Sequence, residues 1–167
     1  MHVSLIGGGW TPDAAPLVYG SFLDAATRCA GGAPPRIACI VIDEGEGADY
    51  FARFAAALTS VSLCVPDAVL IPIGRAVDMA TLDVAHGLLV CGGSTPAYAG
   101  ALSPHREQFR RRVVDQSIPY AGFSAGASVA ARHAVVGGWR LRGIPVCPEG
   151  ASEDLDEVTV VPGLGLV

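Results

Sequence analysis

A serine framed by two glycines is the part of this 167-residue chain best suited to chemistry. The stretch Tyr120-Ala121-Gly122-Phe123-Ser124-Ala125-Gly126-Ala127 sets Gly-x-Ser-x-Gly behind an apolar lead, Ser117-Ile118-Pro119-Tyr120, and ahead of small helix-forming residues. A strand, a sharp turn carrying a serine and a helix make up a nucleophile elbow. Glycines at 122 and 126 suit such a turn, because backbones that approach this closely leave no room for side chains. Serine at the helix N-terminus meets free N–H groups and the positive end of the helix dipole, both of which favour developing negative charge. The same pattern also serves as a plain turn that packs a helix on a sheet, so the rest of the chain must decide. A serine nucleophile needs N–H donors for the oxyanion of a tetrahedral intermediate. One is the N–H of Ala125, and the second is expected from the Gly92-Gly93 turn. Ser124 is then expected in an unfavourable backbone region, with its hydroxyl within a few ångströms of that turn.

Apolar runs at residues 3–6, 36–42, 69–73, 88–91 and 118–122 read as buried strands. Between them lie helical patterns: from Thr11-Pro12 to about residue 29, 49–59, 79–85, a segment capped by Ser94-Thr95-Pro96, and 105–114. The elbow helix is expected over about 125–133. Alternating strands and helices with near-continuous apolar strands predict an α/β fold: three layers, a mostly parallel sheet, helices on both faces. In such sheets ligands bind beyond the carboxyl ends of the strands. Gly7-Gly8-Gly9, Gly92-Gly93-Ser94-Thr95 and the elbow all fall there. Past the elbow helix the alternation stops: residues 137–143 look like a hairpin, 149–157 are acidic, and 158–161 form a late strand. No repeat, linker or low-complexity segment divides the chain, and one domain is expected.

Composition narrows the function. Hydrophobic residues make up 51% and charged residues 16%, so the chain can bury a sizeable core. A net charge of -5 argues against nucleic acid or an anionic membrane as partner. Arg110-Arg111-Arg112 reads as a solvated helix face. The cysteines at 29, 39, 64, 91 and 147 contain no Cys-x-x-Cys pair. Their odd number fits free thiols in a reduced, cytoplasmic setting better than a disulfide scaffold or zinc site. Neither a leader pattern nor a membrane span is visible. Asp43, Glu44, Glu46 and Asp49 have metal-ligand chemistry, but their glycine spacing reads as an acidic surface loop.

Leu5-Ile6-Gly7-Gly8-Gly9, Val90-Cys91-Gly92-Gly93-Ser94-Thr95, Gly122-Phe123-Ser124-Ala125-Gly126-Ala127 and Gly163-Leu164-Gly165-Leu166 occur in this order. In them the chain resembles the dipeptidase E/cyanophycinase family of serine peptidases, over essentially its whole length. The resemblance implies a class I glutamine amidotransferase-like fold, Ser124 as nucleophile, and Gly92 and Ala125 as oxyanion hole. It implies a small peptide substrate, with aspartyl dipeptides and the aspartate–arginine polymer cyanophycin as the known substrates, and no cofactor. No nucleic acid or membrane partner is implied, and a homodimer is left open.

Family members carry the catalytic histidine a few residues after Gly-Leu-Gly-Leu, whereas Val167 follows it here. None of the four histidines replaces it on this reading. His2 and His86 fall at the amino ends of strands, and His105 lies a helix beyond the Gly-Gly-Ser-Thr turn. His133 would lie roughly 900° and ~13 Å along a continued elbow helix, on its far side. A chain lacking its C-terminal part is the favoured explanation. Glu149, Glu153 and Asp154 are the candidates for the orienting acid. Two alternatives remain: another Gly-x-Ser-x-Gly acyl hydrolase, or a catalytically incomplete amidotransferase-like binding domain. A patatin-like lipase would need an Asp-Gly dyad that is absent, and an α/β-hydrolase its acid and histidine after the serine.

Overall fold

The longest apolar run, Arg-Ile-Ala-Cys-Ile-Val-Ile-Asp, forms a strand whose six central residues are all buried. β-Branched residues tolerate burial on both faces of a sheet, so this strand takes a central position. The structure, a computed structural model, describes all 167 residues, the side chain of Pro12 excepted. Five parallel strands make the main sheet: β1 (Val3–Ile6), β2 (Arg36–Asp43), β3 (Val65–Pro72), β4 (Gly87–Val90) and β5 (Tyr120–Phe123). Their order is β1-β5-β4-β2-β3, all pairs parallel. Helices α1 (Ala15–Cys29) and α2 (Gly47–Val61) pack together beside the sheet. A second group comprises α3 (Thr95–Leu102), α4 (Arg106–Arg110) and α5 (Ala125–Val129). This is the expected three-layer α/β architecture.

Several boundaries differ from expectation. The first helical stretch starts as a 3-10 turn at Pro12–Ala14, and Ala14 rather than Thr11 precedes α1. The segment expected as a helix at 79–85 is a 3-10 turn, Met79–Leu82. Residues 103–115 divide into a 3-10 turn, α4 and a π-helical turn, Arg111–Asp115. The largest correction concerns the elbow helix. It ends at Val129, and His133 opens a strand, β6 (His133–Gly137). A two-stranded hairpin follows, β7 (Arg140–Leu141) with β8 (Ile144–Pro145), and then β9 (Thr159–Pro162), which pairs antiparallel with β6.

The early end of α5 has a physical cause in the last residues. Gly163-Leu164-Gly165-Leu166 folds back over the helix end: Leu164 N–H donates to Val129 O, the last helical carbonyl, and Leu166 and Gly165 N–H donate to Ala130 O and Ala131 O just past it. Those carbonyls would otherwise lack partners at a buried helix end. A Cβ on Gly163 would sit 2.1 Å from Ala131 O, so glycine is required. Leu164 and Leu166 are buried in the core on the same pass. The motif therefore terminates the elbow helix.

Candidate active site

Strand register brings three glycine-containing turns to one height. Ile6 pairs with Phe123, and Val90 with Gly122, so the chain leaves β1, β5 and β4 side by side. Neighbouring strands lie ~4.8 Å apart, which places the three turns within reach of one small ligand. Ser124, one residue past β5, stands between the other two. A Cβ on Gly92 would lie 3.2 Å from Ser124 Cβ, and one on Gly8 would lie 4.0 Å from it.

Ser124 itself has φ 51° and ψ −109° and is exposed. This lies off the left-handed helical well, in a region that costs a residue with a Cβ about 1–3 kcal/mol. Surrounding bonds hold it there. Its N–H donates to Ile6 O at 2.8 Å, and its carbonyl accepts from Ala127 N–H at 2.9 Å and Ser128 N–H at 3.1 Å. Gly126 N–H reaches Cys91 O at 3.2 Å, tying the first turn of α5 to the end of β4. Both glycines of the pattern are sterically required. A Cβ on Gly126 would meet Val90 O at 2.1 Å, and one on Gly122 would meet Gly126 O at 2.4 Å. Ser124 thus has the unfavourable backbone expected of it, and its Cβ lies beside Gly92.

Among the described residues, nothing accepts a hydrogen bond from the N–H of Gly92, Gly93 or Ala125. These three groups flank the serine and remain available to an oxygen ligand. Buried tyrosines fix the frame behind them. The Tyr98 hydroxyl lies 3.2 Å from Gly92 O, Ile40 O and Ile42 N, linking the Gly92-Gly93 turn to the end of β2. The Tyr120 hydroxyl donates to Gly126 O at 2.6 Å, bracing α5 from beneath. Burial, reinforced by nearby Cys91, pushes both phenols well up, so both stay protonated donors. Tyr50 points its hydroxyl at Gly92 from the other side, 3.1 Å from where a Cβ would stand. Burial raises its pKa first, then Cys91, while Arg53 pulls the other way. Cys91, next to the turn, is fully buried, and its thiol is raised well above the ordinary range by burial and Cys39. It is a packed neutral thiol, without the exposure or lowered pKa of a reactive cysteine.

Among the described residues, no histidine bonds to Ser124. His2 Nε2 contacts Ser4 Oγ at 3.1 Å, and His86 Nδ1 accepts from Arg36 N–H at 3.1 Å. His105 Nδ1 contacts Gln108 Oε1 at 2.6 Å. His133 is exposed on β6, opposite Pro162. Of the three candidate acids, Glu153 touches the site's frame: its Oε1 accepts from Thr95 Oγ1 at 2.9 Å, at the start of α3. Glu153 and Asp154 both have positive φ, at 53° and 59°. Glu149 and Asp154 make no side-chain bond to any of the three turns. In the acidic loop, Asp43 accepts from the N–H groups of Gly45 and Gly47, both at 2.9 Å. Those bonds hold its carboxyl below the usual range and start α2. No three of His, Cys, Asp and Glu gather closely enough to hold a metal among the described residues.

Sequence reasoning passed over Trp10, Arg53, Tyr98 and Tyr120. Trp10 follows directly on Gly7-Gly8-Gly9, and an aromatic residue ending a glycine loop at a sheet edge was the available signal. Its ring lies 5.4 Å from Phe123 and 4.7 Å from Phe54, and the Arg53 guanidinium stacks over it at 4.5 Å.

No family model matches the sequence, and no curated protein does. Similarity is found in three dimensions. The chain matches the crystal structure of a peptidase from an acI-B1 actinobacterium with a TM-score of 0.67 at 19% identity, covering 98% of this chain and 64% of that one. It matches a candidate peptidase E protein from Listeria monocytogenes EGD-e with a TM-score of 0.55 at 16% identity, covering 99% and 74%. This chain therefore spans just under two thirds of the length of the actinobacterial peptidase. The three share a three-layer α/β fold.

Proposed function

We propose that this chain is a serine peptidase domain of the dipeptidase E type, acting on short aspartyl peptides. The observation that carries the reading is the backbone of Ser124. An exposed serine with φ 51° is held in a costly conformation between two glycine turns. Strain of this kind persists only where surrounding structure enforces it, and a plain packing turn has no use for it. Solved peptidases of the same fold support the reading at the level of the fold.

In the proposed reaction the Ser124 Oγ attacks the peptide carbonyl carbon, and the carbonyl oxygen becomes an oxyanion. The N–H groups of Gly92, Gly93 and Ala125 are the donors for that charge. Removing one such donor typically costs ~10²–10³ in kcat. The chemistry uses no cofactor. A base must take the hydroxyl proton and pass it to the leaving amine. None of His2, His86, His105 or His133 is hydrogen-bonded to the serine, so the proposal places the base after Gly-Leu-Gly-Leu, past Val167. Gly163-Leu164-Gly165-Leu166 runs along the end of α5, so a residue following it departs from the elbow helix itself. Glu153 is the favoured acid among the three candidates, because it alone is tied to the oxyanion turn's helix.

The second reading, an amidotransferase-like domain that binds a ligand without turnover, rests on that missing contact to a histidine. A fluorophosphonate probe and an aspartyl dipeptide panel separate the two. The 167-residue chain is expected to be nearly inert, since losing a triad member costs ~10⁴-fold or more. A form extended past Val167 is expected to label at Ser124 and to hydrolyse Asp-X dipeptides, and Ser124→Ala to abolish both. Inertness of the extended form would favour the binding domain. Efficient hydrolysis by the short chain, lost on replacing one of its own histidines, would refute the placement of the base.

A further inference from the structure

A cavity of about 400 Å³ opens beside the nucleophile, between α1, α2 and the Gly7-Gly8-Gly9 loop. Ser124 does not itself line it, but two residues beside Ser124 do. Phe123, the preceding residue, forms part of its wall, and so does Gly8, whose Cβ position lies 4.0 Å from Ser124 Cβ. The size falls in the ~300–1,000 Å³ range of small-ligand sites. Trp10, Val18, Tyr19, Ala56 and Ala57 are among its other lining residues, and the lining is predominantly apolar.

One cation stands in this wall. Arg53 is exposed, and among the described residues no carboxylate lies within ion-pair distance of it. It is positioned by aromatic rings instead, its guanidinium 4.5 Å from the Trp10 centroid and 5.9 Å from that of Tyr50. Stacking on an aromatic face orients a guanidinium while leaving its N–H edge unneutralised. Arg53 also borders the adjoining hollow with Gly92 and Gly93, where Glu44, Glu46 and Asp49 form the acidic rim. An apolar pocket with one oriented cation, next to a nucleophile, matches a residue that has an apolar side chain and a free α-carboxylate.

Resting on the peptidase reading for the identity of the ligand, we propose that this cavity is the subsite for the leaving residue of a dipeptide. An apolar side chain enters between Trp10, Tyr19 and Ala57, and its α-carboxylate pairs with Arg53. The domain therefore selects Asp-Leu-like dipeptides over Asp-Gly, and free carboxyl termini over amidated ones.

The test is binding, which does not depend on turnover. Calorimetry on the Ser124→Ala chain, with Trp10 fluorescence as a second readout, compares Asp-Leu, Asp-Leu amide and Asp-Gly. Burying a leucine side chain should tighten Asp-Leu about tenfold or more over Asp-Gly. Pairing with an exposed guanidinium should favour the acid over the amide by about three- to tenfold. Arg53→Gln, an exposed position, should abolish the acid–amide preference and keep the Leu–Gly one. Ala57→Phe, which fills the cavity, should do the reverse. Equal affinity for acid and amide, an Arg53→Gln variant that keeps the preference, or no binding of Asp-Leu would each overturn the assignment. The peptidase reading fails separately, by the absence of fluorophosphonate labelling at Ser124 in the extended form.

Discussion

Gly126→Ala places one methyl group where α5 crosses the end of β4. The added carbon would start 2.1 Å from Val90 O, 2.7 Å from Val90 C and 3.0 Å from Val90 Cβ. Ordinary contact begins near 3.4 Å, so helix and strand must part by more than an ångström. Val90 lies in a strand flanked on both sides, by β5 and β2, and the obstructing atoms are backbone. Relief must therefore come from α5, at the expense of the Gly126 N–H bond to Cys91 O and the Tyr120 bond to Gly126 O. Overpacking costs about 1–3 kcal/mol, and a rigid obstacle belongs at the upper end. For a domain of this size each kcal/mol moves Tm by roughly 2–4 °C, so a fall of about 6–12 °C is expected. Urea unfolding followed by tryptophan fluorescence gives the free energy directly. Gly100→Ala in α3, with nothing within 4 Å of its added carbon, is the control and should be neutral or stabilising by up to about 1 kcal/mol. Coincident curves for Gly126→Ala and the parent would mean that this close approach does not position the serine.

Three further outcomes are expected. Ser124→Gly should stabilise the chain by up to about 2 kcal/mol in urea, as glycine relieves the positive-φ strain; a destabilised variant would mean that the elbow is relaxed. Tyr98→Phe leaves the buried Ile42 N–H without its hydroxyl acceptor and takes the shared hydroxyl proton from the Gly92 and Ile40 carbonyls, of which Ile40 O keeps the Cys91 N–H, and should cost about 1–3 kcal/mol; an unchanged midpoint would remove Tyr98 as the brace of the Gly92-Gly93 turn. The Asp43 carboxyl is depressed in the folded state by the Gly45 and Gly47 N–H groups, so its contribution is present above the ordinary carboxylate pKa and lost as pH falls through the folded one. The stability difference between the parent and Asp43→Asn should shrink on acidification through that window, and a pH-independent difference would contradict the assignment.

The five parallel strands, the strained turn at Ser124 and the steric need for Gly122 and Gly126 all follow from residue order, because each depends on neighbours within a few positions. A β-branched run such as residues 37–42 has few alternatives to a buried strand, and a glycine–serine–glycine turn after a strand has a narrow set of shapes. The elbow helix, expected over about 125–133, stops at Val129 for a reason of the opposite kind. Its stop comes from Gly163-Leu164-Gly165-Leu166, more than thirty residues away, whose N–H groups close the carbonyls of Val129, Ala130 and Ala131. No local pattern announces a cap supplied from such a distance. The tyrosine braces and the Trp10–Arg53 cavity are likewise tertiary. Tyr98 and Tyr120 read in sequence as apolar positions of a helix and a strand, and only folding directs their hydroxyls at Gly92 O and Gly126 O. Arg53 is a polar residue on the exposed side of α2 until the glycine loop after β1 carries Trp10 beneath it. Local chemistry dictates which backbone conformations each segment can adopt. Which side chains meet across the sheet edge is decided by the parallel register that brings β1, β5 and β4 to one height.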